Sequence, residues 1–186
     1  MAPVRARRER PPLDHKMLEE LALRYVERFA TTRAKLRDYL RRKLRERGWR
    51  GESAPDLEAI SEQFAGLGYV DDAAYALSKA RSLAGRGYGK RRLVQKLRVA
   101  GVDESDSESA RAHADEEAVS AALRFAERRR LGPFALTAAR DPGDREKGLA
   151  AMVRAGHSFD LARAIIALAP GAAVDPEELR ERAGHR

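Results

Sequence analysis

Three segments of the sequence are similar when they are aligned on a glycine that follows a helical pattern. They are LRDYLRRKLRERGW (36–49), KRRLVQKLRVAGV (90–102) and GLAAMVRAGH (148–157). In each segment a bulkier residue follows the glycine and an apolar residue stands four positions before it. A glycine in this position is typical of the left-handed cap that ends many helices. Because Gly48, Gly101 and Gly156 lie 53 and 55 residues apart, the sequence predicts three copies of one supersecondary unit.

Each copy carries the pattern of three short helices. In the first copy, Leu36, Leu40 and Leu44 recur every fourth residue and indicate the inner face of a helix. No segment alternates β-branched and polar residues over the length of a strand, so we predict an all-α fold. The candidate N-cap residues of three helices are Thr31 or Thr32, Ser53 and Ser158.

The predicted organisation is three tandem three-helix repeats at 18–70, 71–115 and 116–169. Residues 1–17 are predicted to form a basic, flexible N-terminal tail. Residues 170–186 are predicted to form a C-terminal tail, in which the stretch DPEELRER is compatible with a short last helix.

Composition narrows the classes of function. The chain has 37 Lys and Arg against 29 Asp and Glu, a formal net charge of +8, which favours a polyanionic partner or an acidic protein surface. Cysteine is absent, so disulfides, thiol nucleophiles and thiolate metal sites are excluded. The sequence has neither a signal peptide pattern nor an apolar run of about 18 residues, so we expect a cytoplasmic protein that does not contact the membrane.

The stretch GYVDDAAYA (68–76) places two adjacent carboxylates in a basic chain. Asp71 and Asp72 are compatible with a metal site or an acid–base pair, or with the N-cap of the next helix. We predict the cap, with Gly68 ending the preceding helix and Tyr69 packing back as an apolar staple. Further metal ligands are scattered, and the four histidines are dispersed. We therefore predict no catalytic residue, no metal site and no cofactor.

Helical segments of the first and third copies carry candidate contacts to a polyanionic partner or an acidic protein surface. In the first copy, Arg37, Arg41 and Arg45 lie four apart and form one row, which Arg42 widens. The alternative is a solvated helix face that acids of a neighbouring helix neutralise. The third copy contributes Arg124, Arg128 and Arg129, which either extend a basic track or pair with the acids at 115–117.

The second copy contains GRGYGKRRLVQK (85–96), in which glycines precede a basic helix start. Such an arrangement resembles a phosphate cradle, and the alternative is a plain flexible turn. It lacks the Ser or Thr that would follow Lys90 in a nucleotide-binding loop. The basic residues of the N-terminal tail can add non-specific affinity for nucleic acid. The second-copy candidates are Lys90, Arg91, Arg92 and Lys96, and the tail arginines are Arg5, Arg7, Arg8 and Arg10.

The ordered set GYVDDAAYA, GRGYGKRRLVQKLRVAGV and VRAGHSFDLARAI resembles the bacterial RecX regulatory proteins. His157 departs from the pattern, since an aromatic residue is common at its position. The resemblance implies three tandem three-helix repeats in an elongated, curved array. It also implies a protein that binds the RecA recombinase and its nucleoprotein filament, and restrains its ATPase and recombination activity in DNA repair and the SOS response.

A different class of function is also compatible with the sequence: a helical protein that binds DNA independently of sequence, or that regulates transcription. Operator recognition would need base-reading side chains on an exposed helix, whereas the helices here offer mostly Arg and Lys, which suit phosphate contacts. The expected partners are therefore RecA and DNA. Single-stranded DNA is the first expectation and double-stranded DNA the second. We expect the protein to be a monomer. A metal-dependent nuclease is disfavoured because no ligand cluster is present.

Overall fold

The computed structural model describes residues 11–137 and 142–184 of the 186-residue chain. This part of the chain is helical and contains no strand, apart from one isolated bridge between Leu13 and Trp49. The predicted all-α fold is confirmed. The arginines of the N-terminal tail and His185 lie outside the described residues. The helices are α1 His15–Val26, α2 Arg33–Arg47, α3 Leu57–Gly66, α4 Asp72–Gly85, α5 Lys90–Val99, α6 Glu108–Glu116, α7 Ala118–Arg129, α8 Pro142–Arg154, α9 Phe159–Ala167 and α10 Pro176–Gly184.

The chain forms two compact units, Met1–Asp72 and Ala73–Arg186. Unit 1 contains helices α1 to α3 around one apolar core. Its fully buried side chains come from all three helices and from the segment before α1, and include Leu13, Leu18, Leu36, Leu40 and Ile60.

The segment before α1 is part of unit 1. Leu13 is fully buried, its amide donates to the Gly48 carbonyl at 3.0 Å, and its carbonyl accepts from the Arg50 amide at 3.0 Å. Asp14 caps α1 through the Met17 amide and pairs with Arg50, and these two interactions hold the pKa of Asp14 below its ordinary value. The end of the segment that the sequence assigns to a tail is therefore folded.

The N-caps of α2 and α9 are those that the sequence predicts. Thr32 accepts from the Lys35 amide at 3.2 Å, and Ser158 accepts from the Leu161 amide at 3.4 Å. The prediction for α3 is wrong, because Asp56 and not Ser53 caps it, accepting from the Ala59 amide at 2.9 Å. A carboxylate next to the first helical residue meets the free amides directly.

Unit 2 contains α4 to α10. Helices α4, α5 and α6 enclose one apolar cluster, and α7, α8 and α9 enclose another. Helix α10 packs on α9 and α7 and buries Leu179 in the second cluster, so the stretch DPEELRER forms the short helix that the sequence allowed. With α1 to α3, the helices form three consecutive groups of three, as predicted.

The aligned glycines all follow a helix with a positive φ, but Gly48, whose ψ is 175°, does not take the predicted left-handed cap conformation. Gly48, Gly101 and Gly156 have φ of 79°, 67° and 100°. In the second and third repeats, the residue after the glycine donates its amide to a carbonyl five positions earlier, on Leu97 and Met152. Both of these side chains are buried, so the second and third repeats each end their middle helix with a cap anchored in their own core.

Candidate anion-binding groove

The turn between α4 and α5 is packed tightly against the end of α8. Gly89 donates its amide to the Ala155 carbonyl at 3.0 Å, and Arg91 donates to the Gly156 carbonyl at 3.1 Å. A Cβ on Gly89 would overlap the Gly156 carbonyl and lie 2.6 Å from the His157 amide nitrogen. The turn is therefore packed rather than open, and protein carbonyls already accept from two of the backbone amides that a phosphate cradle would use. Contact of the basic side chains of this stretch with an anion stays a prediction.

This packing of two repeats forms an open groove of about 700 Å³ in unit 2. Its floor includes the rings of Tyr88 and Phe125. The guanidinium carbons of Arg86 and Arg92 lie 5.7 and 5.4 Å from the Tyr88 centroid. We call this surface the arginine groove, and its five arginines are Arg86, Arg92, Arg128, Arg129 and Arg154.

Among the described residues, no acidic side chain lines the arginine groove. Arg128 donates to the Arg86 carbonyl at 2.6 Å, and Arg86 donates to the Ser82 carbonyl at 3.3 Å. These bonds orient two guanidinium groups without neutralising them. Arg92, Arg129 and Arg154 have no acidic partner in the part of the chain that the structure describes. Like charges gathered without counter-charges favour an anionic partner.

The predicted row on α2 is a less available surface. Arg37 donates to Glu58 of α3 at 2.5 Å, and its side chain is only 24% exposed. Arg41 pairs with Asp38 at 2.5 Å, and Arg42 lies 3.8 Å from Glu46. Exposed ion pairs of this kind contribute little to stability, but they reduce the charge offered to a partner. The alternative of a neutralised helix face fits these arginines, whereas Arg45 is exposed and has no ion-pair partner among the described residues.

Some of the remaining predicted contact residues are paired with acids, and others lie in the arginine groove. Lys90 pairs with Asp115 at 2.5 Å, and Arg124 pairs with Glu117 at 2.6 Å, so the acids at 115–117 neutralise part of the basic track. Arg128 and Arg129 of the same cluster extend it into the arginine groove. The exposed candidates on α5 outside the groove lining are Arg91 and Lys96.

Sequence reasoning missed Arg86 and Arg154 as members of the groove. Arg86 stands between two glycines of a turn, and Arg154 is the last residue of α8, two positions before Gly156. Both were visible as basic residues within two positions of a glycine. Their convergence depends on the packing of Gly89 against Gly156, which no local pattern encodes.

The two adjacent carboxylates have separate environments. Asp72 is the first residue of α4, and its buried carboxylate accepts from the Arg33 amide at 3.0 Å at the start of α2. The Arg33 guanidinium lies 3.5 Å from the same carboxylate. Asp71 is exposed at the position just before α4. Asp72 thus anchors the end of unit 1, and among the described residues no group of three potential metal ligands occurs.

Removing this anchor is expected to destabilise the protein. Asp72→Ala should lower the free energy of unfolding by about 2 kcal/mol, because the Arg33 amide and guanidinium lose a charged acceptor in a buried position. Urea denaturation followed by circular dichroism measures this change. Asp38→Ala, which removes an exposed partner of Arg41, is the matched control and should change stability by less than about 0.5 kcal/mol. Equal effects of the two substitutions would contradict the anchoring role.

His157 lies buried behind the arginine groove. Its Nε2 is 3.1 Å from the Gly87 carbonyl oxygen, and its ring centroid is 5.6 Å from that of Phe125. Because a carbonyl only accepts, Nε2 carries the proton and donates. Burial lowers the pKa of His157 below its ordinary value of 6.5, against an opposing effect of the Gly87 hydrogen bond.

The lowered pKa of His157 predicts a pH dependence of stability. The unfolded chain takes up a proton near pH 6.5 and the folded chain does so only at lower pH, so stability is lost as the pH falls below 6.5. We expect a loss of up to about 1.4 kcal/mol per pH unit in this window. Urea denaturation of the wild type and His157→Phe at several pH values isolates this contribution. A constant difference between the two proteins across pH 6.5 would refute it.

No helix in the described part of the chain is both long and apolar enough to cross a membrane. The described residues form an all-helical repeat protein that carries a cationic surface groove between its second and third repeats.

Known proteins with similar sequences belong to one family. Regulatory protein RecX of Myxococcus xanthus (strain DK1622) is 36% identical over 156 residues, covering 80% of this chain and 83% of the relative. Regulatory protein RecX of Agrobacterium fabrum (strain C58 / ATCC 33970) is 31% identical over 160 residues, covering 83% and 84%. The chain belongs to the RecX family of regulatory proteins.

Two further comparisons concern the domain pattern and the fold. Residues 71–110 match the family model described as RecX, second three-helix domain. The crystal structure of RecX from Lactobacillus salivarius superposes with a TM-score of 0.59 at 21% identity, covering 81% of this chain and 93% of that one. A second RecX crystal structure gives a TM-score of 0.57 at 22% identity, covering 83% of this chain and 77% of that one. The arrangement of helices is therefore that of solved RecX proteins.

Proposed function

We propose that this protein binds RecA and the RecA–DNA filament and restrains the ATPase and recombination activity of RecA. Family membership supports RecA as the partner, since the relatives are named regulatory proteins. The observation that carries the proposal here is the arginine groove, with five arginines and no acidic side chain among its described lining residues. A nucleoprotein filament offers such a groove both DNA phosphates and acidic protein side chains.

The arginine side chains of the groove are suited to binding anions, whatever the nucleotide sequence of the DNA. Arginine forms paired hydrogen bonds with carboxylates and phosphates alike, and it retains its charge at any physiological pH. The aromatic floor supports two guanidinium groups over Tyr88 and two over Phe125, which limits the freedom that binding must remove. Binding of the filament in the arginine groove would hinder the rearrangement of RecA subunits. We therefore expect the protein to restrain the activity of RecA and not to stimulate it.

The ATP hydrolysis rate of RecA on single-stranded DNA tests this function. The rate is titrated with this protein at several salt concentrations, and binding to bare DNA is measured in parallel. We expect hydrolysis to fall at protein concentrations well below those that coat bare DNA. If hydrolysis falls only where bare DNA is saturated, the protein competes for the strand, and the alternative of a sequence-independent DNA-binding protein replaces the proposal.

A further inference from the structure

Three aromatic rings of unit 1 form a cluster that is only partly buried in the core. The rings of Tyr25 and Tyr39 are stacked, with centroids 4.2 Å apart and an interplanar angle of 11°. Phe29 follows Tyr25 at 5.4 Å with a tilt of 47°. Tyr25 and Tyr39 pack partly on the unit 1 core, whereas Phe29 remains 56% exposed. We call Tyr25, Phe29 and Tyr39 the aromatic cluster.

The fold holds this cluster in place. Tyr25 lies on the last turn of α1, and the Phe29 amide donates to the Tyr25 carbonyl at 3.1 Å, which keeps the two rings on one side of the chain. Tyr39 lies on α2, whose N-terminus is fixed by the buried cap Thr32. Exposing much of a phenylalanine ring beside two ordered rings gives no benefit to folding, since burial would stabilise it. The exposed face of the Phe29 ring is accessible to a ligand.

The charge around the aromatic cluster identifies the ligand class. The Arg42 guanidinium carbon lies 5.5 Å and the Lys43 Nζ 5.7 Å from the Tyr39 centroid. Arg28, next to Phe29 in the chain, is exposed and has no ion-pair partner within the described residues. Glu46, at 2.6 Å from Lys43 and 3.8 Å from Arg42, offsets part of this charge. Acids from outside residues 24–50 pair with Arg33, Arg37 and Arg50, so the cations that remain beside the aromatic cluster are Arg28, Arg42 and Lys43.

We propose that the aromatic cluster is a base-stacking site for single-stranded nucleic acid. Exposed rings beside cations are the combination that binds unpaired bases and their phosphates together. Duplex DNA keeps its base faces stacked inside the helix, so it cannot use the Phe29 ring in this way. This site is separate from the arginine groove, and its test uses a bare oligonucleotide without RecA.

Fluorescence anisotropy with a short labelled oligothymidylate and a matched duplex tests the proposal on the full chain. Phe29→Ala should weaken oligothymidylate binding about fivefold or more, since losing one stacked base costs at least about 1 kcal/mol. Duplex binding should not change, and the dependence of affinity on salt should keep its slope, because no charge is removed. Phe29→Trp should retain the wild-type affinity, since it keeps an aromatic face.

Tyr69→Ala is the matched control, because Tyr69 is a 53% exposed ring of the same unit that packs on Phe64. It should bind oligothymidylate as the wild type does. Thermal melting should show the Phe29 variants folded, since this ring lies outside the core. Unchanged oligothymidylate affinity in Phe29→Ala overturns the proposal, as does equal weakening for the duplex. Loss of the effect on RecA with unchanged oligothymidylate affinity would also overturn it and assign the cluster to protein docking.

Discussion

Replacing Gly89 with alanine is expected to lower the free energy of unfolding by about 3 kcal/mol or more, because the new Cβ meets backbone that cannot rotate away. It would overlap the Gly156 carbonyl and approach the His157 amide nitrogen to 2.6 Å. Relief requires the turn to separate from the end of α8. That separation breaks the hydrogen bonds from the Gly89 and Arg91 amides and leaves buried carbonyls without donors.

Gly85→Ala is the matched control for this prediction. Gly85 is the last residue of α4 in the same turn, and a Cβ there would meet nothing within 4 Å. Alanine should be neutral or stabilise the helix by up to about 1 kcal/mol. Urea denaturation gives both free energies, and amide hydrogen exchange should show faster exchange at Gly89 and Arg91 only in Gly89→Ala. If the two variants are equally stable, the tight packing of the turn against α8 is incorrect.

Neutralising the arginine groove is expected to abolish most of the effect on RecA without unfolding the protein. The triple variant Arg92→Gln, Arg129→Gln and Arg154→Gln removes three of the five groove charges and leaves Arg86 and Arg128, whose guanidinium groups bond to backbone carbonyls. Glutamine keeps part of the aliphatic stem over the aromatic floor. If each charge contributes about 1 kcal/mol to binding, about a hundredfold more protein is needed for half-inhibition of RecA ATP hydrolysis.

The control removes equal charge from the same unit. Arg163, Arg180 and Arg182 each pair with an acid on their own helix, and their replacement by glutamine changes the net charge identically. This variant should inhibit RecA within about threefold of the wild type, because surface pairs of this kind contribute little to specific contacts. Equal loss of inhibition in both triple variants would show that total charge acts, and the groove would lose its assigned role.

The sequence predicted the features that depend on neighbouring residues. The glycines that end α2, α5 and α8, and the caps at Thr32 and Ser158, are set by hydrogen bonds spanning a few positions. Their recurrence was enough to derive three repeats and an all-helical fold. The cap of α3 was misplaced because Ser53 and Asp56 are both suitable cap residues three positions apart, and only packing selects between them.

The candidate site required contacts over long separations. The i, i+4 spacing correctly placed Arg37 and Arg41 on one helix, but it could not show that Glu58 of α3 would pair with Arg37. The groove is formed where the turn after α4 meets the end of α8, and the bond between His157 and Gly87 joins residues 70 positions apart. Arg86 and Arg154 converge only because of that packing. The basic residues could therefore be identified from the sequence, but the place where they converge into a groove could not.

We propose that this protein acts on the RecA filament through anion recognition, and a direct binding measurement tests this proposal. The labelled full chain is titrated with RecA filaments formed on single-stranded DNA and held by a non-hydrolysable ATP analogue. Bare single-stranded DNA and free RecA are titrated in the same buffers. We expect the protein to bind the filament more tightly than either component, with an affinity that falls steeply as the salt concentration rises. Equal affinity for the filament and for bare DNA would contradict it.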